Sequence, residues 1–94
     1  MYNAGVKFTW HESKRRANLR KHGLDFADAE RVFAGPTLTE EDARDYEGER
    51  RFNTTGFLDA RIVTICHTES VTEIRIISMR KAELHEIETL SQYI

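Results

Sequence analysis

Two guanidiniums, Arg75 and Arg80, interrupt the otherwise buried-looking run Arg75-Ile76-Ile77-Ser78-Met79-Arg80-Lys81-Ala82. Arginine in such a setting is costly unless an anion meets it, and its planar fork matches the paired oxygens of a phosphate or a carboxylate. Each therefore admits two readings, a phosphate contact or an internal salt bridge. In a regular strand the two would face opposite sides, because side-chain direction repeats every two residues. They can share a site only if the strand ends or bulges before Arg80, and the expected place of Arg80 is the corner between strand and helix.

A second group of cations lies near the front. Lys14 and Lys21 are seven residues apart, hence on one helical face, with Asn18 between them, a stripe able to hold successive phosphates. Histidine is the side chain best suited to move protons near neutral pH, and the chain has His11, His22, His67 and His85. His67 reads either as an acid or base beside an arginine or as a partly buried histidine bonded to backbone. His22 reads as an anion contact, or as a cation favoured by about 0.3–1 kcal/mol at a helix C-terminus. His11 and His85 read as surface residues.

These groups must be held by a small set of elements. Residues 6–10 alternate apolar with polar and read as a strand. Residues 12–22 lack proline and β-branched side chains, and Gly23 follows where a helix-ending left-handed residue is wanted. Asp25 can cap a second helix that places Phe26, Ala29, Val32 and Phe33 on one face before Gly35-Pro36 ends it. Residues 37–39 suggest a brief edge strand, followed by an acidic loop over 40–49. Strands over 51–57, 61–68 and 72–79 follow in hairpin succession. Arg50 and Arg51 stand at the entry of the first, one facing each side of the sheet. Leu84, Ile87, Leu90 and Ile94 then mark a closing amphipathic helix. The expectation is an α+β domain over 1–94, with an antiparallel sheet of three to four strands, a short N-terminal strand, two N-terminal helices and one C-terminal helix.

A chain of 94 residues buries about 60–65 % of the surface its unfolded form exposes, enough for one core. No apolar run approaches the ~20 residues of a membrane span, and no leader precedes the first strand, which points to a cytoplasmic protein. Cys66 is the only cysteine; it excludes an internal disulfide and a four-cysteine metal site, and within an apolar strand it reads as core. The formal net charge is −2, which argues against a nucleic-acid partner only if the charge is evenly spread. Residues 1–23 carry six Lys/Arg against one acid, 24–49 two against nine, and 50–94 six against six. A surface that meets phosphates can coexist with one that meets something else.

The segments Trp10-His11-Glu12-Ser13-Lys14, Asn18, Lys21-His22-Gly23 and the 75–82 octet closely resemble the BrnT family, toxins of bacterial type II toxin–antitoxin pairs, over residues 6–86. The resemblance implies a RelE-like fold whose open sheet face handles RNA, and endoribonuclease activity that needs no metal or other cofactor. It further implies neutralisation by a BrnA-like ribbon-helix-helix antitoxin, through which the pair would reach operator DNA. Such cleavage activates a ribose 2′-hydroxyl, stabilises charge on the phosphate and protonates the leaving 5′-oxygen. The residues implied are Arg75, Arg80, His67 and Arg50 for catalysis, and Lys14, Asn18, Lys21 and His22 for RNA binding. Arg50 enters because an arginine follows a segment like Tyr46-Glu47-Gly48-Glu49 in the family; Tyr46 itself, able to stack a base, stays outside the catalytic set. Trp10 reads as an anchor for the first helix.

Two departures from the family pattern keep a second reading open. Ser70 stands where arginine is common, and Glu83-Leu84-His85-Glu86 is acidic where members are usually basic. A catalytically weak or inactive binding module, serving as antitoxin partner and corepressor, would tolerate both. A metal-dependent nuclease is disfavoured, since the carboxylates concentrate in a loop without ligand-like spacing to histidine.

Overall fold

The computed structural model describes residues 5–44 and 46–94. The chain runs through strand β1 (Lys7–Thr9), helix α1 (Glu12–His22), a 3-10 turn (Phe26–Asp28), helix α2 (Ala29–Phe33), strands β2 (Thr37–Asp42), β3 (Arg51–Leu58), β4 (Arg61–Glu69) and β5 (Glu73–Lys81), and helix α3 (Leu84–Ser91). One five-stranded sheet of order β1-β5-β4-β3-β2 results. It is mixed, because β1 lies parallel to β5 while the other neighbours are antiparallel. Four antiparallel strands and a short N-terminal strand are as expected, but β1 joins them in one mixed sheet, and β2 runs three residues past the brief strand expected, pairing Glu40, Glu41 and Asp42 with β3.

Local chemistry accounts for the ends of the elements. Gly23 takes the left-handed conformation (φ 71°) and donates its N–H to the Leu19 carbonyl, closing α1. The Asp25 carboxylate accepts from the Ala27 N–H, but the segment it caps is not one helix; it is the 3-10 turn followed by the five-residue α2. At the other end, Glu83 and Glu86 form a reciprocal capping box at the start of α3.

The core lies on one face of the sheet. Leu24, Phe26, Ala29, Val32 and Phe33 pack there on Leu58, Val63, Ile65, Ile74, Ile76 and Met79, with Val6, Phe8 and Trp10 at the margin. Fully burying one such side chain contributes roughly 1.5–3 kcal/mol. Gly56 lets α2 come this close: a Cβ there would meet Val32 Cγ1 and Thr37 Cγ2, both at 2.9 Å. Trp10 meets Phe26 edge-on at 6.4 Å, as an anchor would. Among the described residues, the opposite face is covered only by Arg44, Tyr46 and Glu49 and where α3 crosses it against β3 with Leu90 buried.

β1 covers only residues 73–75 of β5, so the rest of that strand would be a bare edge. Asn18 of α1 closes part of it. Its side-chain oxygen accepts from the Met79 N–H at 3.0 Å, and its amide donates to the Met79 carbonyl at 2.8 Å and the Leu24 carbonyl at 3.0 Å. One asparagine thus replaces the missing strand and fixes α1 beside β5.

Candidate functional site

The register between β4 and β5 slips by one residue. Cys66 pairs with Ser78 while His67 pairs with Ile76, leaving Ile77 as a bulge. Beyond the bulge the alternation is inverted. Arg75 pairs with Thr68 and Arg80 with Thr64, and Thr64, Cys66 and Thr68 share one face of β4, so both arginines project from the open face. This is the bulge on which a shared site depended, and Arg80 is the penultimate residue of β5, its side chain reaching α3 through Glu86.

Around it lies a cleft of about 300 Å³ lined by Arg44, Tyr46, Arg51, Asn53, Thr64, Cys66, Ile77, Ser78 and Arg80. Arg51 lies over the Tyr46 ring, 4.1 Å from its centre, and Arg44 approaches the same ring at 5.5 Å. Arg75 borders the cleft through Glu49, whose carboxylate receives Arg75 at 2.9 Å and Arg51 at 3.1 Å. Cys66, expected in the core, is half-buried and lines the cleft instead, and its burial pushes the thiol pKa up.

Every arginine of this face has a carboxylate partner. Arg44 donates to Asp42, Arg51 and Arg75 to Glu49, and Arg80 to Glu86. Arg75 followed by Arg51 lowers the Glu49 pKa, and Arg44 holds Asp42 well below the usual carboxylate range. Burial raises the Glu86 carboxyl, but Arg80, the Glu83 N–H and the Thr64 hydroxyl outweigh it and bring its pKa to about 2. Tyr46 donates to Asp42 at 2.8 Å, which raises the phenol pKa and keeps it protonated at neutral pH.

The N-terminal stripe is adjacent. Lys14, Ala17, Asn18, Lys21 and His22 line a shallow groove of about 230 Å³ together with Ile77 and Ser78, the same bulge residues that line the cleft. Lys14 and Lys21 are exposed and form no ion pair among the described residues. Asn18 is buried with its amide committed to backbone, so it positions α1 and has no donor left for RNA.

Two of the expected catalytic residues are elsewhere. His67 is wholly buried on the packed face, stacked on Phe52 at 6.0 Å and edge-on to Phe33 at 5.1 Å. Its Nε2 lies 2.7 Å from the Thr54 hydroxyl, and burial pulls its pKa down to about 4. A neutral ring on the far side of the sheet cannot act beside Arg75 or Arg80. Arg50 is 70 % exposed, bound to Glu41 and 5.3 Å from the Phe52 ring, on the same side as His67; Arg51 holds the open-face position. Sequence reasoning left Arg51, Arg44, Thr64 and Glu86 out. The alternation at 50–51 was the available signal for Arg51 and the acidic departure at 83–86 that for Glu86, while nothing local marked Arg44 or Thr64.

Ser70 has a structural duty: its hydroxyl accepts from the Thr72 and Glu73 N–H groups and shapes the β4–β5 turn. A model of the family described as ribonuclease toxin, BrnT, of type II toxin–antitoxin systems matches residues 10–86. No curated protein matches the chain.

Proposed function

Since the chain belongs to the BrnT family of type II toxin–antitoxin ribonuclease toxins, we propose that it is an endoribonuclease whose RNA lies on the open sheet face around the Ile77 bulge. The observation that carries this reading is the register slip that sets Arg75 and Arg80 on one face with Arg51 and Tyr46. Lys14 and Lys21 hold flanking phosphates along the adjoining groove, with His22 at its end. Arg51, Arg75 and Arg80 stabilise the charge that grows on the scissile phosphate. Tyr46, protonated and between two arginines, takes the proton-transfer place from which His67 is excluded. The 2′-oxygen gives up its proton and bonds to phosphorus, the 5′-oxygen leaves and gains a proton, and the products are a 2′,3′-cyclic phosphate and a 5′-hydroxyl.

The reading includes a RelE-like fold, action without metal, a cytoplasmic location and a BrnA-like ribbon-helix-helix antitoxin that carries the pair to operator DNA. No helix among the described residues is long and apolar enough to cross a membrane. Among those residues, Glu83, His85 and Glu86 form a group whose ligand atoms lie within 4.8 Å of one another, yet the Glu86 carboxylate is already engaged by Arg80 and Thr64. The test is purified protein with RNA in excess chelator: cyclic-phosphate ends are expected, and activity that appears only on adding a divalent ion contradicts metal independence.

A second reading draws on the carboxylates that engage each open-face arginine. In it the protein is a binding module that serves as antitoxin partner and corepressor. Induced expression without antitoxin separates the two: growth arrest with RNA loss supports the nuclease, and normal growth with retained antitoxin binding supports the module.

A further inference from the structure

The Glu86 carboxylate sits in a cradle with the form of an oxyanion seat. Its Oε1 accepts from Arg80 Nη1 at 2.8 Å, the Thr64 hydroxyl at 2.9 Å and the Glu83 backbone N–H at 2.8 Å, while Oε2 accepts from Arg80 Nη2 at 3.0 Å. Two oxygens on a guanidinium fork, with further donors converging on one of them, is also the arrangement a phosphodiester accepts. Arg80 and Thr64 both line the open-face cleft, so the seat opens onto the surface assigned to RNA.

We infer that Glu86 is an internal stand-in for a substrate phosphate, that Arg80 and Thr64 form a phosphodiester subsite, and that RNA takes this subsite by displacing Glu86 and loosening α3. The inference rests on the RNA reading above and adds the regulation of that site.

The attachment of α3 suits such an exchange. A helix of eight residues does not hold by itself in water, so contacts to the sheet keep it folded. Those contacts are few. Leu90 is buried and Ile87 partly so, but Leu84 at the start of the helix is 70 % exposed. The Glu86–Arg80 pair is therefore a principal tie between α3 and the open face, and an anion that claims Arg80 removes it.

The probe is a 2′-O-methyl RNA oligonucleotide, which binds without being cleaved. Glu86→Gln keeps the shape of the side chain but not its charge, and is expected to bind at least tenfold tighter than the parent protein. Glu88→Gln, one neutralised charge further along α3, should change affinity less than threefold. Adding Arg80→Ala should erase the gain, leaving the double variant equal to Arg80→Ala alone. Independently of any variant, amide exchange over 84–91 in the parent protein should quicken when the oligonucleotide saturates it. Unchanged or slower exchange there overturns the inference, as does a Glu86→Gln affinity equal to or below the parent's. If parent and variant both fail to bind RNA, the ribonuclease reading falls and takes the subsite with it; binding by the parent without gain in the variant removes the subsite alone.

Discussion

Arg50 and Arg51 are neighbours with opposite fates. Only Arg51 reaches the cleft, between Glu49 and the Tyr46 ring, so Arg51→Ala should lower kcat/KM for RNA by about 10²-fold, the usual scale for losing one stabiliser of transition-state charge. Arg50→Ala should cost less than threefold in the same assay. The sequence established that the two diverge, but which one meets the cleft depends on the pairing of β3 with β4, a non-local fact. His67 shows a similar limit. His-Thr in a strand is compatible with either face, and the burial that decides it comes from Phe33 and Phe52. Its pKa of about 4 in the folded protein lies below the ordinary 6.5. The stability it contributes is therefore complete above pH 6.5 and is lost as pH falls toward 4, by about 3 kcal/mol at the lower end. Urea unfolding across that window should show the slope in the parent protein and a flatter one in His67→Leu. Equal slopes would contradict a buried neutral ring.

At the level of elements, local rules located most of the architecture. The span of α1 and its Gly23 terminus followed from composition and conformational preference, and the β3-β4-β5 meander followed from alternation and turns. Three features did not. The parallel partner of β1 is set across more than sixty residues by tertiary packing. The second helix splits because its capping turn tightens into a 3-10 turn before α2 begins. The bulge at Ile77 carries no glycine or other mark in the sequence, and without it Arg75 would face the core. Asn18 belongs to this scale as well: it looked like part of a phosphate stripe, while its amide is the edge partner of Met79. Asn18→Ala leaves buried backbone groups unpaired and should cost about 1–3 kcal/mol in urea unfolding. RNA affinity per folded molecule should persist in that variant, whereas Lys21→Ala should weaken affinity without loss of stability.

Across the whole molecule, the charge segregation legible in the chain becomes a spatial division. Basic α1 and the arginines of β3 and β5 meet at the bulge, while the acidic middle supplies Glu49 as the resting partner of Arg51 and Arg75 and Asp42 as that of Arg44, and Glu86 of α3 holds Arg80. A protein of net charge −2 can in this way keep a phosphate-binding surface that is balanced until RNA arrives. The sequence disclosed the sign of each segment but not this internal pairing, which arises only when the strands register. The central claim is that RNA occupies the open face around Ile77. The most direct measurement is a map of backbone amide shifts as a 2′-O-methyl oligonucleotide is added to the purified protein. The account predicts that the perturbed residues cluster at 46–53, 64–68 and 75–80, with Lys14 and Lys21 on α1 and the residues of α3 around Glu86, and that 26–33 on the packed side stay still. Perturbations confined to α2 and the β2 edge would contradict it.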